Sequence, residues 1–204
     1  MHQGYFITGI GTGIGKTVVS AVITEKLKAD YWKPVQSGDL DASDSMSVGA
    51  LISNNRTQIH PEIYRLNTPL SPHQSAAIDG VEIELDGFSL PQTQNRLVVE
   101  GAGGLMVPLA EKLLITDLIR HLNLPVILVS RHYLGSINHT LLSWHFLKEQ
   151  EIPVRGIIFN GPENHESKRY ILQYTALELL GELPELDQID AKIISELGAN
   201  ITLT

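Results

Sequence analysis

Residues 9–18, GIGTGIGKTV, bring together the residue types that hold phosphate: several glycines, then a lysine, then a hydroxyl. Glycines let backbone N–H groups approach an anion closely, the Lys16 ammonium can reach terminal phosphates, and the Thr17 hydroxyl can bind magnesium. The dinucleotide fingerprint G-x-G-x-x-G fails in both registers, because Gly9-x-Gly11 is followed by Ile14 and Gly11-x-Gly13 by Lys16. A strict G-x-x-x-x-G-K-[ST] loop needs glycine at position 10, which is Ile10, so the spacing is off by one. By itself the stretch reads as a variant phosphate loop or as a glycine-rich strand-to-helix turn.

A magnesium nucleotide site also requires carboxylates, since the hard ion prefers oxygen ligands. Glu100 closes the apolar run RLVVEG, at the strand end where open α/β sheets place ligand chemistry; it reads equally as a solvated strand end. Asp44 lies in the acidic, serine-rich stretch DLDASDSMSVGAL, where the first reading of an aspartate is a helix N-cap. Lys33, before Pro34, stands where most lysines are only solvated.

Positioning these groups takes strands and helices in alternation. YFITG, RLVVEG, LPVILVS and VRGIIFN are nearly continuous in apolar and β-branched residues, as strands buried on both faces are. Between them run helical stripes: Val19, Ile23 and Leu27; Ile137, Leu141 and Trp144; and Leu172, Ala176 and Leu179. A fifth strand is expected at YWKPV, and residues 55–94, with Pro61, Pro69, Pro72 and Pro91, read as loops around a short helix at PHQSAAI. The alternation predicts an α/β fold with a mostly parallel central sheet flanked by helices, and without internal repeats or linker composition residues 1–204 read as one domain.

The 204 residues are 43% hydrophobic, enough for a substantial core, and contain no cysteine, which excludes disulfides, zinc thiolates and a thiol nucleophile. No leader-like or transmembrane-length apolar run occurs, so a cytoplasmic protein is expected. The formal charge of −8, without a run of basic residues, argues against nucleic acid and anionic membranes as partners.

In order along the chain stand TGIGTGIGKT, KPVQSG, LSPH, VEGAGG, LPVILV, LGSINH and GELP, covering Thr8 to Pro184. This series resembles the dethiobiotin synthetase family, whose loop has the same off-by-one spacing. The resemblance implies a three-layer P-loop NTPase fold and a homodimer that turns 7,8-diaminopelargonic acid, CO2 and MgATP into dethiobiotin, ADP and phosphate. It implies that Thr12, Gly13, Ile14, Gly15, Lys16, Thr17 and Val18 form the ATP loop, with Thr17, Asp44 and Glu100 as ligands of Mg2+. Lys33 would hold the carbamate, with Ser37 near the substrate, and Lys16 and Lys33 would be the catalytic pair. Asn160 would read the adenine edge and the turn at Pro184 border the base, while Asn138, at a helix start, would bind the substrate carboxylate across the dimer interface. Tyr174 is a further candidate for that carboxylate.

Ile10 and Gly11 depart from the family's usual Thr-Asp or Thr-Asn, which removes side-chain contacts from those positions, and Arg131 and His132 have no counterpart in the pattern. The rival class with the same fold is the ParA/MinD-like dimeric ATPase switch. Its members carry a signature lysine five residues before the loop lysine, where this chain has Gly11, and a basic amphipathic anchor that SELGANITLT does not supply.

Overall fold

The computed structural model describes residues 4–203. Strand β1 (Gly4–Gly9) runs through the glycine loop into helix α1 (Lys16–Leu27), followed by β2 (Asp30–Trp32), β3 (Val35–Ser37) and α2 (Asp44–Leu51). Next come β4 (Ile59–His60), β5 (Tyr64–Leu66), α3 (Pro72–Asp79), the long β6 (Leu97–Gly104), β7 (Pro108–Ala110), β8 (Leu113–Leu114) and α4 (Ile115–Leu122). The chain finishes with β9 (Val126–Ser130), α5 (Ser136–Glu149), β10 (Val154–Asn160), α6 (His165–Thr175), β11 (Leu179–Leu183) and α7 (Ala191–Leu197).

Seven strands form one sheet in the order β11-β10-β9-β1-β6-β2-β4, and every pairing in it is parallel. Parallel strands need crossover helices, which cover both faces and explain the near-continuous apolar runs of the central strands. Side-chain alternation sorts the core into two layers. Phe6, Trp32 and Val99 point to one, with Ile115, Leu118 and Ile119 of α4. Ile7, Tyr31 and Val98 point to the other, with Val19, Val22 and Ile23 of α1. Among the described residues, no helix is long and apolar enough to cross a membrane.

Three expectations need correction. YWKPV is not one strand: β2 stops at Trp32 and β3 resumes at Val35 in a separate two-stranded sheet with β5. Pro34 has no N–H for a ladder, and its ring restricts Lys33, so the chain changes sheets there. The stripe Leu172, Ala176, Leu179 is not one helix. The helix α6 ends at Thr175, Ala176 takes a left-handed conformation at φ +55°, and Leu179 opens β11. Within residues 55–94 the short helix is present as α3, but strands β4, paired with β2, and β5, paired with β3, stand there as well.

Candidate active site

The glycine loop leaves the end of β1 and turns into α1 through Gly15, which takes φ +86° and carries no side-chain cap bond. The uncapped N–H groups of that first turn are free for an anion, and the helix dipole adds to their pull. A Cβ on Gly15 would stand 2.1 Å from Asn160 Nδ2, so backbone conformation and close approach both require glycine. Asn160, at the end of β10, donates from Nδ2 to the Ile14 carbonyl at 2.9 Å and so ties a second strand to the loop. Lys16 folds back to donate to the Gly11 carbonyl at 2.9 Å. Burial pushes its ammonium down to about 8, with Glu100 and Asp44 opposing that push and Lys33 adding to it.

The carboxylates reach the same place by register. Ile7 of β1 pairs with Glu100 of β6, and Tyr31 of β2 pairs with Val98. With a side-chain period of two, Tyr31, Lys33, Val98 and Glu100 point to the layer that holds α1, and Lys33 comes opposite Glu100. Glu100 is therefore no solvated strand end: it is 1% exposed, midway along β6. Its Oε1 accepts from Lys33 Nζ at 3.1 Å and lies 2.9 Å from Thr17 Oγ1; its Oε2 accepts from the Tyr31 hydroxyl at 3.0 Å.

Asp44 is the first residue of α2 rather than its cap, since Ser43 holds the cap position and accepts from the Met46 N–H. That frees the Asp44 carboxylate, whose Oδ1 lies 3.1 Å from Thr17 Oγ1 and whose Oδ2 pairs with Lys33. Thr17 has one hydroxyl proton and can donate to only one of its two acid neighbours at a time. Burial opposes the charge on Lys33, yet Glu100 and Asp44 outweigh it and raise its pKa above the ordinary lysine value.

Three oxygen-bearing side chains on α1, α2 and β6 thus converge. Among the described residues no cage of three or more Asp, Glu, His or Cys side chains gathers. Two carboxylates with a hydroxyl match an ion that keeps waters and phosphate oxygens in its shell, as Mg2+ does.

Two cavities flank this centre. One, of about 480 Å³, is lined by Thr12, Lys33, Ser37, Asp44, Pro72 and Gly103. The Ser37 hydroxyl in its wall is buried without a hydrogen-bond partner. The other, of about 580 Å³, lies beyond Asn160 and is bordered by His132, Phe159, Gly161, Leu183, Pro184 and Glu185. The structure accounts for the two residues that fitted no pattern. Arg131 pairs with Glu185 at 2.5 Å beside that second cavity, and His132 stacks on Phe159 with centroids 4.8 Å apart, its pKa lowered by burial.

Among the loop residues, Ile14 packs into the core, Val18 is half-buried against it, and Thr12 and Gly13 are exposed. Two expected residues stand apart. Asn138 is exposed in the first turn of α5, whose cap is Gly135, and does not line the Lys33 cavity. Tyr174 sits at the far end of α6 with its hydroxyl 3.3 Å from His145 Nε2, seven residues or about 10 Å along α5 from Asn138.

Sequence reasoning missed Tyr31 and Gln36. The Gln36 amide accepts from the Asp44 N–H at 3.3 Å and donates to the Gly38 carbonyl at 3.0 Å. Tyr31 lies in none of the motifs and Gln36, though inside KPVQSG, is assigned no role there; the pairing of β2 with β6 and the fold of the chain around β3 bring them to the carboxylates.

Residues 3–192 match the family model AAA_26, described as an AAA domain. The chain is 50% identical to the ATP-dependent dethiobiotin synthetase BioD of Christiangramia forsetii over 196 residues, covering 96% of this chain and 94% of that one. To the protein of the same name from Agrobacterium fabrum it is 45% identical, covering 96% and 92%. Among solved structures it is similar to a ParA family ATPase from Chlorobium tepidum (TM-score 0.59, 12% identity, covering 98% and 100%). It is also similar to the cell division ATPase MinD of Pyrococcus furiosus (TM-score 0.58, 12% identity, covering 98% of each chain). At 12% identity these structures attest the P-loop NTPase fold alone. Identity near one half along almost the whole of both chains speaks to family as well as fold: this protein belongs to the ATP-dependent dethiobiotin synthetases and is an ATP-dependent ligase of biotin biosynthesis.

Proposed function

We propose that the protein, acting as a single domain in a homodimer, carboxylates 7,8-diaminopelargonic acid with CO2 and closes the ureido ring at the expense of ATP, releasing dethiobiotin, ADP and phosphate. The observation that carries this reading is the pair of buried ammonium groups, Lys16 and Lys33, between a phosphate loop and a cavity lined by Lys33 and Ser37. One seven-stranded sheet that joins β1, β2 and β4 near the start of the chain to β10 and β11 near its end supports the single domain, and the absence of cysteine fits a reducing cytoplasm.

An alkyl amine with a pKa of about 10.4 is neutral in only about one molecule in 2,500 at pH 7, and only the neutral amine attacks CO2. Lys16 and Lys33 disfavour a further ammonium beside them; lowering the amine by about three units takes about 4 kcal/mol. The amine adds to CO2 and loses a proton, leaving a carbamate anion that Lys33 stabilises. The carbamate oxygen then attacks the γ-phosphorus of ATP and ADP leaves, with charge on the transferring group neutralised by Lys16 and the loop N–H groups. The second amine attacks the carbamoyl carbon of the mixed anhydride and expels phosphate, a step governed by orientation. Thr17, Asp44 and Glu100 suit Mg2+, which when bound supplies electrostatic neutralisation of the phosphates. Pro184 borders the cavity for the base, Asn160 directly precedes Gly161 of its wall, and Ser37 offers its unpartnered hydroxyl to the diamine.

The homodimer reading rests on an apolar groove lined by Leu105, Met106, Leu142 and Phe146, in which Met106 and Leu142 are more than half exposed, and on the fully exposed Leu134 just before α5. A second copy covering this face would bring its Asn138 toward the site, where the start of α5 suits a carboxylate.

Incubation of the pure protein with diaminopelargonate, bicarbonate and MgATP is expected to yield ADP and dethiobiotin in equal amounts. Lys33→Ala should abolish ring formation while MgATP affinity by calorimetry stays within a few-fold. ADP without dethiobiotin from the wild-type protein would overturn the reading.

A further inference from the structure

Resting on the reading of Glu100 as a metal ligand, we propose that Tyr31 is a positioning residue that holds Glu100 to a one-oxygen presentation and thereby sets the affinity of the magnesium site. Tyr31 is fully buried on β2, where its register opposite Val98 puts its ring beside Glu100, two residues further along β6. Its hydroxyl donates to Glu100 Oε2 at 3.0 Å, while the other oxygen, Oε1, faces Thr17 and Lys33. The carboxylate is thereby divided between its two oxygens: Oε2 is tied back into the core and Oε1 is turned toward the phosphate loop.

A carboxylate free to rotate can offer both oxygens to one cation, a geometry that large ions such as Ca2+ accept. Mg2+ demands near-octahedral ligands and retains waters, so a single fixed oxygen suits it. Partners behind a ligating carboxylate fix its orientation, and their loss weakens metal binding by about 10- to 100-fold. The other side of the site has a parallel device in Gln36, which braces the start of α2 at Asp44.

The test is a double-mutant cycle of Tyr31→Phe and Glu100→Gln. Mn2+ is titrated into ADP-saturated protein, and the free ion is counted by electron paramagnetic resonance. Tyr31→Phe removes one oxygen and keeps the ring, and it should weaken Mn2+ binding by about tenfold. In the Glu100→Gln background the same change should have no further effect, because Tyr31 acts only through that carboxylate. An equal loss in both backgrounds, the mark of general damage to the fold, would overturn the proposal, as would Mn2+ affinity within twofold of wild type in Tyr31→Phe. If Glu100→Gln itself leaves Mn2+ binding unchanged, the metal-ligand reading fails together with the inference. If only Tyr31→Phe is silent, the inference alone fails.

Discussion

Lys16 carries a conflict that its neighbours do not resolve. It is 7% exposed, donates to a loop carbonyl rather than to an acid, and has its pKa lowered from 10.5 to about 8 by burial. The unfolded chain therefore holds this proton more tightly than the folded one between those values, and Lys16 makes the unliganded protein more stable as pH rises from about 8 toward 10.5. A bound polyphosphate would supply the missing anion and raise the pKa again. Nucleotide binding at pH 8.5 should consequently take up a fraction of a proton, read as a dependence of the calorimetric enthalpy on the buffer's ionisation enthalpy. Lys16→Met should remove that dependence, weaken ATP binding strongly, and raise the urea midpoint of the unliganded protein at pH 7. Lys33 is the contrasting case, because two carboxylates outweigh its burial.

At the scale of elements, the site depends on how α1 begins. Gly15 supplies a left-handed residue that an L side chain adopts at a cost of about 1–2 kcal/mol, and it lets Asn160 of β10 reach the Ile14 carbonyl. Gly15→Ala should lower stability by about 2–4 kcal/mol in urea denaturation, the backbone cost and the displacement of Asn160 adding together. It should also reduce nucleotide affinity by more than tenfold, since the N–H groups of the first turn move with the loop. Gly15→Ala combined with Asn160→Ser should recover part of the lost stability, because the crowded amide has been shortened. The register of β6 against β1 and β2 is the second such dependence: a one-residue slip would turn Glu100 away from α1.

For the whole molecule, the exposed apolar residues at Leu134, Leu142 and Met106 and the distance of Asn138 from the Lys33 cavity point the same way. Light scattering should give a particle of twice the 22.5 kDa chain mass. Leu142→Asp should shift it toward monomer. If a second copy supplies Asn138 as proposed, the monomer should keep MgATP binding within a few-fold while its apparent affinity for the diamine falls by more than tenfold in steady-state kinetics.

The sequence by itself determined the class of fold and narrowed the glycine stretch to a variant phosphate loop or a strand-to-helix turn. Periodicity and the order strand, glycines, lysine-threonine are local properties, fixed by backbone sterics and by burial on both faces of a parallel sheet. Motif resemblance added Asp44, Glu100 and Lys33 as residues of one site, although each read alone as a cap, a strand end and a surface lysine. Only the tertiary structure decided that Lys33 lies opposite Glu100, that Ser43 and not Asp44 caps α2, and that the Tyr31 hydroxyl holds Oε2 of Glu100. Those facts depend on which strands are neighbours and in what register, and strands far apart in the chain carry no local signal of the pairing that long-range packing selects.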